Sequence, residues 1–297
     1  MKQIRAYLIL FGGVLALSTS AIWVRLANAP SAVTAFYRLF LTALMLLPFL
    51  LCSRKHRSEV MCIHGKEWAR IFSAGFFLAL HYLLWFESLH YTSIASSTVI
   101  VCLQPLFSMA LERFVLKTRI RSTALLGCFV SLVGCAVIGF GDFQISGQSL
   151  LGDILAFLAA GVISLYYFIG QNVRQRVSAV TYSVLSYSTS AAVLLLFVGL
   201  RGMALTGYAP NTYWVFLGLA LVATVGGQFV FNLLLKQLPA SAVTMSILGE
   251  PIGTCILAGI FLQERMTRQQ LLGITVIIGG LVLYFFLPAR RNAPCAK

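Results

Sequence analysis

The sequence has few charged residues and very few acidic ones. Only 10% of its 297 residues are charged, and 8 acidic residues stand against 22 lysines and arginines, giving a formal net charge of +14. A soluble chain with 59% hydrophobic residues would expose large apolar patches, which soluble monomers avoid. The shortage of charge therefore excludes an ordinary soluble domain and favours a membrane protein.

Several catalytic and cofactor-binding motifs are also missing. The sequence contains no GxxxxGK(S/T) phosphate loop, HExxH zinc motif, GxSxG nucleophile motif or kinase motif set. Its 7 cysteines include no CxxC pair, and its 4 histidines have no metal-binding spacing. We therefore expect no cofactor, no metal and no enzymatic activity, and any active transport has to be driven by a gradient.

The basic residues fall between the apolar stretches. Nucleic-acid binding would need them clustered on one face among polar or aromatic side chains, so we expect no nucleic-acid partner. In membrane proteins lysine and arginine collect in cytoplasmic loops. With the N-terminus inside, most of the basic residues fall on that side. This predicts a multi-pass protein of the cell membrane with both termini in the cytoplasm.

About ten apolar stretches are long enough to cross the hydrocarbon layer of a bilayer, which is roughly 30 Å thick, because a helix rises about 1.5 Å per residue. The predicted spans cover residues 6–24, 33–52, 71–89, 94–112, 122–140, 151–170, 180–200, 213–234, 241–262 and 269–287. The start of the first span imitates a secretion signal. We predict that it is retained, because its apolar run is longer than a usual signal core. We therefore predict an all-α polytopic membrane protein whose ten transmembrane helices lie in the lipid bilayer.

A block of residues occurs twice at a constant offset. The matched positions are Gln104, Pro105, Gly127 and Gly134 in the first half and Glu250, Pro251, Gly273 and Gly280 in the second. Matched prolines and glycines are not explained by hydrophobicity alone, so we infer two five-helix repeats over residues 6–140 and 151–287. An odd number of helices inverts the second repeat in the membrane. Inverted repeats are typical of transporters that expose a midplane site to either side in turn.

Residues in both halves resemble a known family. Tyr37-Arg38-Leu39 resembles the arginine-bearing start of the family's second helix, and Gly152-Asp153 resembles the opening of its second repeat. The signature of its ninth and tenth helices is similar to Glu250-Pro251, Leu262-Gln263-Glu264 and Gly273. The family is the EamA-type ten-helix branch of the drug/metabolite transporter superfamily. The resemblance covers essentially residues 6–287 and implies a secondary transporter that exports small metabolites such as amino acids.

Glu250 is the foremost candidate for a transport residue. An ionisable side chain inside a span is costly in lipid and usually faces a cavity or a partner. Glu250 lies about ten residues into the ninth predicted helix, directly before a proline that frees a backbone carbonyl. One interpretation is a protonatable gate or solute contact. The other is a carboxyl group that hydrogen-bonds a neighbouring helix at the kink.

The third predicted helix carries a second group of candidates. His81 and Trp85 are four residues apart and therefore share a helical face, with Tyr82 beside them and Glu87 further along. Such a face can stack a planar solute. Aromatic residues in membrane helices also serve for packing or as interfacial belts, and Glu87 is close enough to a helix end to reach the headgroups.

Five further polar residues complete the set of candidates. Gln228 and Asn232 are four residues apart in the eighth helix and either bind solute or hydrogen-bond a neighbouring helix. Arg38 either binds an anionic group or extends to the membrane surface. Tyr166 extends the aromatic wall. Gln104 occupies the position of the repeat-related carboxylate in the first half, so a mechanism with paired carboxylates is not expected.

The resulting prediction is a monomeric carrier that exchanges a small-molecule solute for protons by alternating access. Glu250, aided by His81, is expected to titrate during the cycle. An uncoupled facilitator or a broad drug and toxin efflux carrier remains the alternative. An intramembrane enzyme or a scaffold is a remote one, because neither accounts for an inverted repeat.

Overall fold

The structure, a computed structural model, describes residues 2–92, 94–139, 147–261 and 267–287. These residues form fifteen α-helices and one π-helical segment. The first half contains α1 (Lys2–Ser18), α2 (Ser20–Leu26), α3 (Ser31–Cys52), α4 (Arg54–Met61), α5 (Gly65–Tyr91), α6 (Ile94–Val101), α7 (Gln104–Phe114) and α8 (Ser122–Gly139). The second half contains α9 (Gly147–Val173), α10 (Ala179–Leu200), α11 (Pro210–Gly218), the π-helical segment (Leu219–Phe229), α12 (Val230–Leu234), α13 (Ala240–Ile247), α14 (Glu250–Phe261) and α15 (Arg268–Phe285).

Ten helical spans follow from these elements, as predicted. Eight are long and apolar enough to cross a membrane, Ser122–Ile138 is a shorter apolar helix, and the broken pair α6–α7 supplies the tenth. The third span begins at Gly65 rather than at residue 71, because its polar first turns are also helical. The short helix α4 was not predicted. Residues 140 and 262, where two spans were expected to end, and the expected motif residues Gln263 and Glu264 lie outside the described part of the chain.

In three of the spans a turn interrupts the helix. The first breaks at Thr19, the fourth at Cys102-Leu103 and the ninth at Leu248-Gly249. In the fourth and ninth spans the break comes just before Pro105 and Pro251, which take the second position of α7 and α14. Proline has no amide hydrogen and is favoured in the first turn of a helix, and Pro105 and Pro251 each lie in the first turn of a new helix after the break. The repeated prolines thus place two breaks at corresponding points of the two halves.

The repeated glycines bring α8 and α15 together. A Cβ atom on Gly127 would lie 2.6 Å from the carbonyl oxygen of Gly280, and one on Gly134 would lie 2.8 Å from that of Gly273. No real side chain tolerates such distances, so both glycine pairs are required for backbone contact. Close contact between α8 and α15 is therefore the structural role of these four glycines.

We expect Gly280→Ala to destabilise the protein and Gly279→Ala to leave its stability nearly unchanged. A Cβ atom on Gly280 would lie 2.5 Å from the Gly127 carbonyl oxygen, whereas one on Gly279 meets nothing within 4 Å. Overpacking costs about 1–3 kcal/mol, while alanine in an open helical position gains up to about 1 kcal/mol over glycine. Thermal unfolding of the two purified variants in detergent measures the difference. Equal melting temperatures would contradict close packing of α8 on α15.

The two ends of the bundle are packed differently. We call the end at which α1 begins and α15 ends the terminal face, and the other end the far face. Toward the terminal face α7 packs directly against α13. Toward the far face α6 packs on α5, α8 and α9, whereas α14 packs on α1, α2 and α15. The fourth and ninth spans therefore diverge beyond their breaks, and we infer from this divergence a cleft between them at the far face.

Candidate functional site

Glu250 lies at the base of this cleft. It is the first residue of α14, and its backbone carbonyl accepts a hydrogen bond of 3.1 Å from Ser18 Oγ. Its half-buried carboxylate makes no hydrogen bond or ion pair with any residue that the structure describes. Charged or polar groups on three other spans are near enough to interact with it electrostatically, namely Arg38, Tyr82 and Tyr167. Glu250 is thus a half-buried carboxylate at the break of the ninth span, without a hydrogen bond or ion pair to a described residue.

Arg38 is held inside the bundle and does not extend to the membrane surface as one interpretation expected. Only 5% of the residue is exposed. Its Nε donates to Thr224 Oγ1 at 2.8 Å, and its Nη1 donates to Ser20 Oγ at 3.0 Å. The guanidinium carbon lies 5.4 Å from the centre of the Tyr82 ring. These contacts fix the guanidinium plane and leave Nη2 buried without a hydrogen-bond partner.

The aromatic face predicted on the third span is present. The His81 and Trp85 rings are stacked with their centres 6.0 Å apart and an angle of 14° between their planes. His81 Nδ1 lies 3.0 Å from the Ala159 carbonyl oxygen, which can only accept, so Nδ1 carries the proton here. Trp85 Nε1 is buried and has no hydrogen-bond partner. Glu87 is half-buried near the far end of α5 and makes no ion pair with a described residue.

Asn232 joins three helices and is fully used in doing so. Tyr166 donates to its Oδ1 at 2.9 Å, and its Nδ2 lies 3.0 Å from both Ser183 Oγ and Tyr187 Oη. All four residues are completely buried. The geometry therefore favours the interhelical interpretation for Asn232 and Tyr166, because the amide hydrogens of Asn232 and the hydroxyl hydrogen of Tyr166 are all donated within this network.

Gln228 differs from Asn232 although both are buried amides on the same span. It lies in the π-helical segment Leu219–Phe229, beside the hydroxyl groups of Tyr166 and Tyr167. Its Nε2 has no hydrogen-bond partner. Gln104 lies at the repeat-related break of the fourth span and is buried. Its backbone carbonyl accepts a hydrogen bond of 2.8 Å from Ser164 Oγ.

A second carboxylate closes the bundle at the terminal face, and the sequence analysis missed it. Glu112 on α7 accepts hydrogen bonds from Ser241 N at 2.8 Å and from Ser241 Oγ at 2.7 Å. Tyr284 on α15 also donates to Ser241 Oγ at 3.2 Å. Ser241 is the second residue of α13, so the carboxylate sits on a helix N-terminus, where the helix dipole favours negative charge. The available signal was a carboxylate at the end of a predicted apolar span.

A similar contact fastens the surface helix α4 to α10. Glu59 accepts from Ser178 N at 2.5 Å and from Thr181 Oγ1 at 2.7 Å. Partial burial raises the pKa of Glu59, but the hydrogen bonds from Ser178 and Thr181 outweigh it, so that the pKa lies below its usual value. The carboxylate therefore stays ionised at neutral pH. This contact lies outside the cleft and does not join α7 to α13.

Comparison with known proteins agrees with this architecture. Ten apolar spans, a breaking proline repeated in two of them and a cleft between the two broken spans define a multi-pass membrane transporter of the inverted-repeat class. The sequence profile described as EamA-like transporter family matches this chain twice, over residues 4–140 and 150–286. The chain belongs to this family, and with it to the drug/metabolite transporter superfamily.

Relatives and a solved structure support the same assignment. "Uncharacterized transporter YwfM" of Bacillus subtilis is 28% identical over 77% of this chain and 78% of its own length. "Uncharacterized transporter YdfC" of the same organism is 24% identical over 87% and 83%. "Solute carrier family 35 member F2" of Mus musculus is 25% identical over 69% and 56%. One crystal structure, 19% identical, superposes with a TM-score of 0.82 over 97% of this chain and 98% of the other, which shows a shared fold.

Proposed function

We propose that this transporter is a secondary active carrier that exports small metabolites such as amino acids in exchange for protons. The observation that carries the proposal is the carboxylate of Glu250, which lies at the base of a one-sided cleft without a hydrogen bond or ion pair to a described residue. A carboxylate in this position is available to a proton or to a cationic group of a solute.

Competition for Glu250 is the physical basis of the coupling. An ammonium group and a proton each neutralise the carboxylate, so binding of one disfavours binding of the other. A carrier that crosses the membrane only when this charge is neutralised moves one species in each direction. His81 supports the arrangement by fixing the third span to the Ala159 carbonyl through its Nδ1 proton, and its Nε2 is able to accept a second proton.

The paired breaks before Pro105 and Pro251 supply hinges for alternating access. In the present state α7 and α13 are joined while α6 and α14 are apart. Inverted repeats allow the opposite arrangement by exchanging the conformations of the two halves. We place the terminal face in the cytoplasm, since its loops carry most of the lysines and arginines, so that the cleft opens outward. A single chain supplies both halves, and we propose a monomer.

Transport of solutes out of loaded proteoliposomes tests the proposal. Liposomes with purified protein are loaded with a mixture of amino acids and other metabolites, given a pH gradient, and analysed by mass spectrometry against protein-free liposomes. We expect a small number of amino acids to move only when the gradient is present. Equal movement without a gradient would instead identify a facilitator, and movement of cationic drugs alone would identify an efflux carrier of the broad type.

A further inference from the structure

Three buried nitrogen donors near the cleft have no hydrogen-bond partner. They are Arg38 Nη2, Trp85 Nε1 and Gln228 Nε2, and they stand on three different spans. Among the described residues the only other buried unpaired side-chain atoms are two hydroxyl groups, on Ser108 and Thr123. Buried polar groups are almost always paired in native proteins, so each orphan donor requires a reason. All three groups are donors, so a ligand that pairs with them has to offer acceptor atoms such as oxygen.

Among the three residues, Arg38 has the side chain whose orientation is best fixed by hydrogen bonds. Two of its nitrogens are anchored by the hydroxyls of Thr224 and Ser20, so the third is held in a fixed direction at no further entropic cost. Glu250 interacts with Arg38 through its charge, but the two do not form an ion pair. The guanidinium is therefore a buried cation without a bonded anion. Its planar donor geometry matches that of a carboxylate.

Gln228 lies one helical turn after the residue that binds this guanidinium. Thr224, which binds Arg38 directly, comes four residues before Gln228 in the same π-helical segment. The amide therefore lies about one helical turn from the Arg38 contact. π-helical segments are rare and are found mostly at functional sites. On the third span the guanidinium lies over the Tyr82 ring, whose neighbour His81 is stacked on Trp85.

We propose that Arg38 and Gln228 form a subsite that binds the ionised carboxylate of the solute, with Trp85 Nε1 donating to a further oxygen. The subsite selects carboxylic acids, including zwitterionic amino acids, and disfavours solutes that are only cationic. This inference rests on the proposed function in one respect, namely that the solute enters the cleft. It adds which chemical group of the solute is recognised and by which atoms.

The test compares ligands that differ only in the carboxylate. Binding of the twenty common amino acids to purified protein in nanodiscs is measured by calorimetry without any gradient, and the best binder is compared with its carboxamide. We expect the acid to bind about 10- to 100-fold more tightly than the amide, as for a hydrogen bond to a charged group. Equal affinity for acid and amide, or no binding by any of the twenty, would overturn the proposal.

Variants then assign the preference to Arg38. Arg38→Gln is expected to reduce the affinity for the acid to that for the amide, and Arg38→Lys, which keeps the charge but not the planar fork, to recover only part of it. Gln228→Leu should give a smaller loss, of about fivefold. Arg201→Gln is the matched control, because Arg201 is exposed on the far face where the cleft opens. If Arg38→Gln is monodisperse and retains the preference for the acid, the subsite lies elsewhere.

The outcome is independent of proton coupling. Should Glu250→Gln still show gradient-driven transport while Arg38→Gln loses the acid preference, the coupling proposal fails and the subsite stands. Should proton exchange be confirmed while acid and amide bind equally, the subsite fails alone.

Discussion

Replacing Glu250 by glutamine is expected to abolish proton-driven transport and to weaken binding of the solute. Glutamine has nearly the same shape as glutamate but does not titrate, so the carrier becomes unable to exchange its solute for a proton. We expect the rate of gradient-driven transport in proteoliposomes to fall to the rate measured without a gradient. Binding of the solute should weaken in the same variant, because the neutral side chain imitates the protonated state, which disfavours the ammonium group.

Glu67→Gln provides the control for this experiment. Glu67 is also a buried carboxylate on a span, but it pairs with Arg176 at 3.0 Å near the terminal face and has no contact with the cleft. Its variant should keep full gradient dependence. Retention of proton-driven transport by Glu250→Gln would remove Glu250 from the coupling mechanism and leave the carrier without a described coupling carboxylate in the cleft.

The sequence was sufficient to predict the parts of the fold that depend on local properties. Hydrophobic length determines a span, a missing amide hydrogen determines a break, and a missing side chain allows close contact. For these reasons the spans and the distortion at Pro251 could be predicted without coordinates, whereas the contact of Gly127 with Gly280 is known only from the structure. The inverted repeat followed from counting helices, because the number of crossings fixes the orientation of each half.

The roles of the polar residues could not be predicted in the same way. Gln228 and Asn232 are both amides on one span. Asn232 is hydrogen-bonded to three hydroxyl groups, whereas Gln228 Nε2 has no partner among the described residues. The difference depends on which tyrosines from α9 and α10 reach each amide, and this is a property of tertiary packing. The π-helical segment is equally invisible in sequence, since its residues Leu219–Phe229 are as apolar as those of an ordinary α-helix.

The two ends of the bundle differ in the hydrogen bonds that can join their helices. At the terminal face Glu112 binds the N-terminus of α13 through Ser241. The constant offset of the repeat assigns Ala258 to the position of Glu112 and Ala95 to that of Ser241. Alanine has no side-chain acceptor or donor, so the equivalent contact across the far end lacks these hydrogen bonds. If the proposed alternating access operates, these hydrogen bonds favour the state in which the terminal face is closed.

Glu112→Gln is accordingly expected to shift the protein toward a state that is open at the terminal face. Hydrogen bonds to a charged group contribute about 1.5–3 kcal/mol, so their loss should increase the population of that state by about 10- to 100-fold. Spin labels on Val115 and Gln237, which are exposed beside the ends of α7 and α13, measure the separation in a background without native cysteines. The variant should gain a population with a longer distance.

Two further variants show whether the effect belongs to this contact. Ser241→Ala removes one of the two hydrogen bonds and should produce a smaller shift in the same direction. Glu59→Gln removes a carboxylate from the N-terminus of α10, which has the same chemistry but does not join α7 to α13. The label distance should not change in that variant. An unchanged distribution in both Glu112→Gln and Ser241→Ala would mean that helix packing alone holds the terminal face closed.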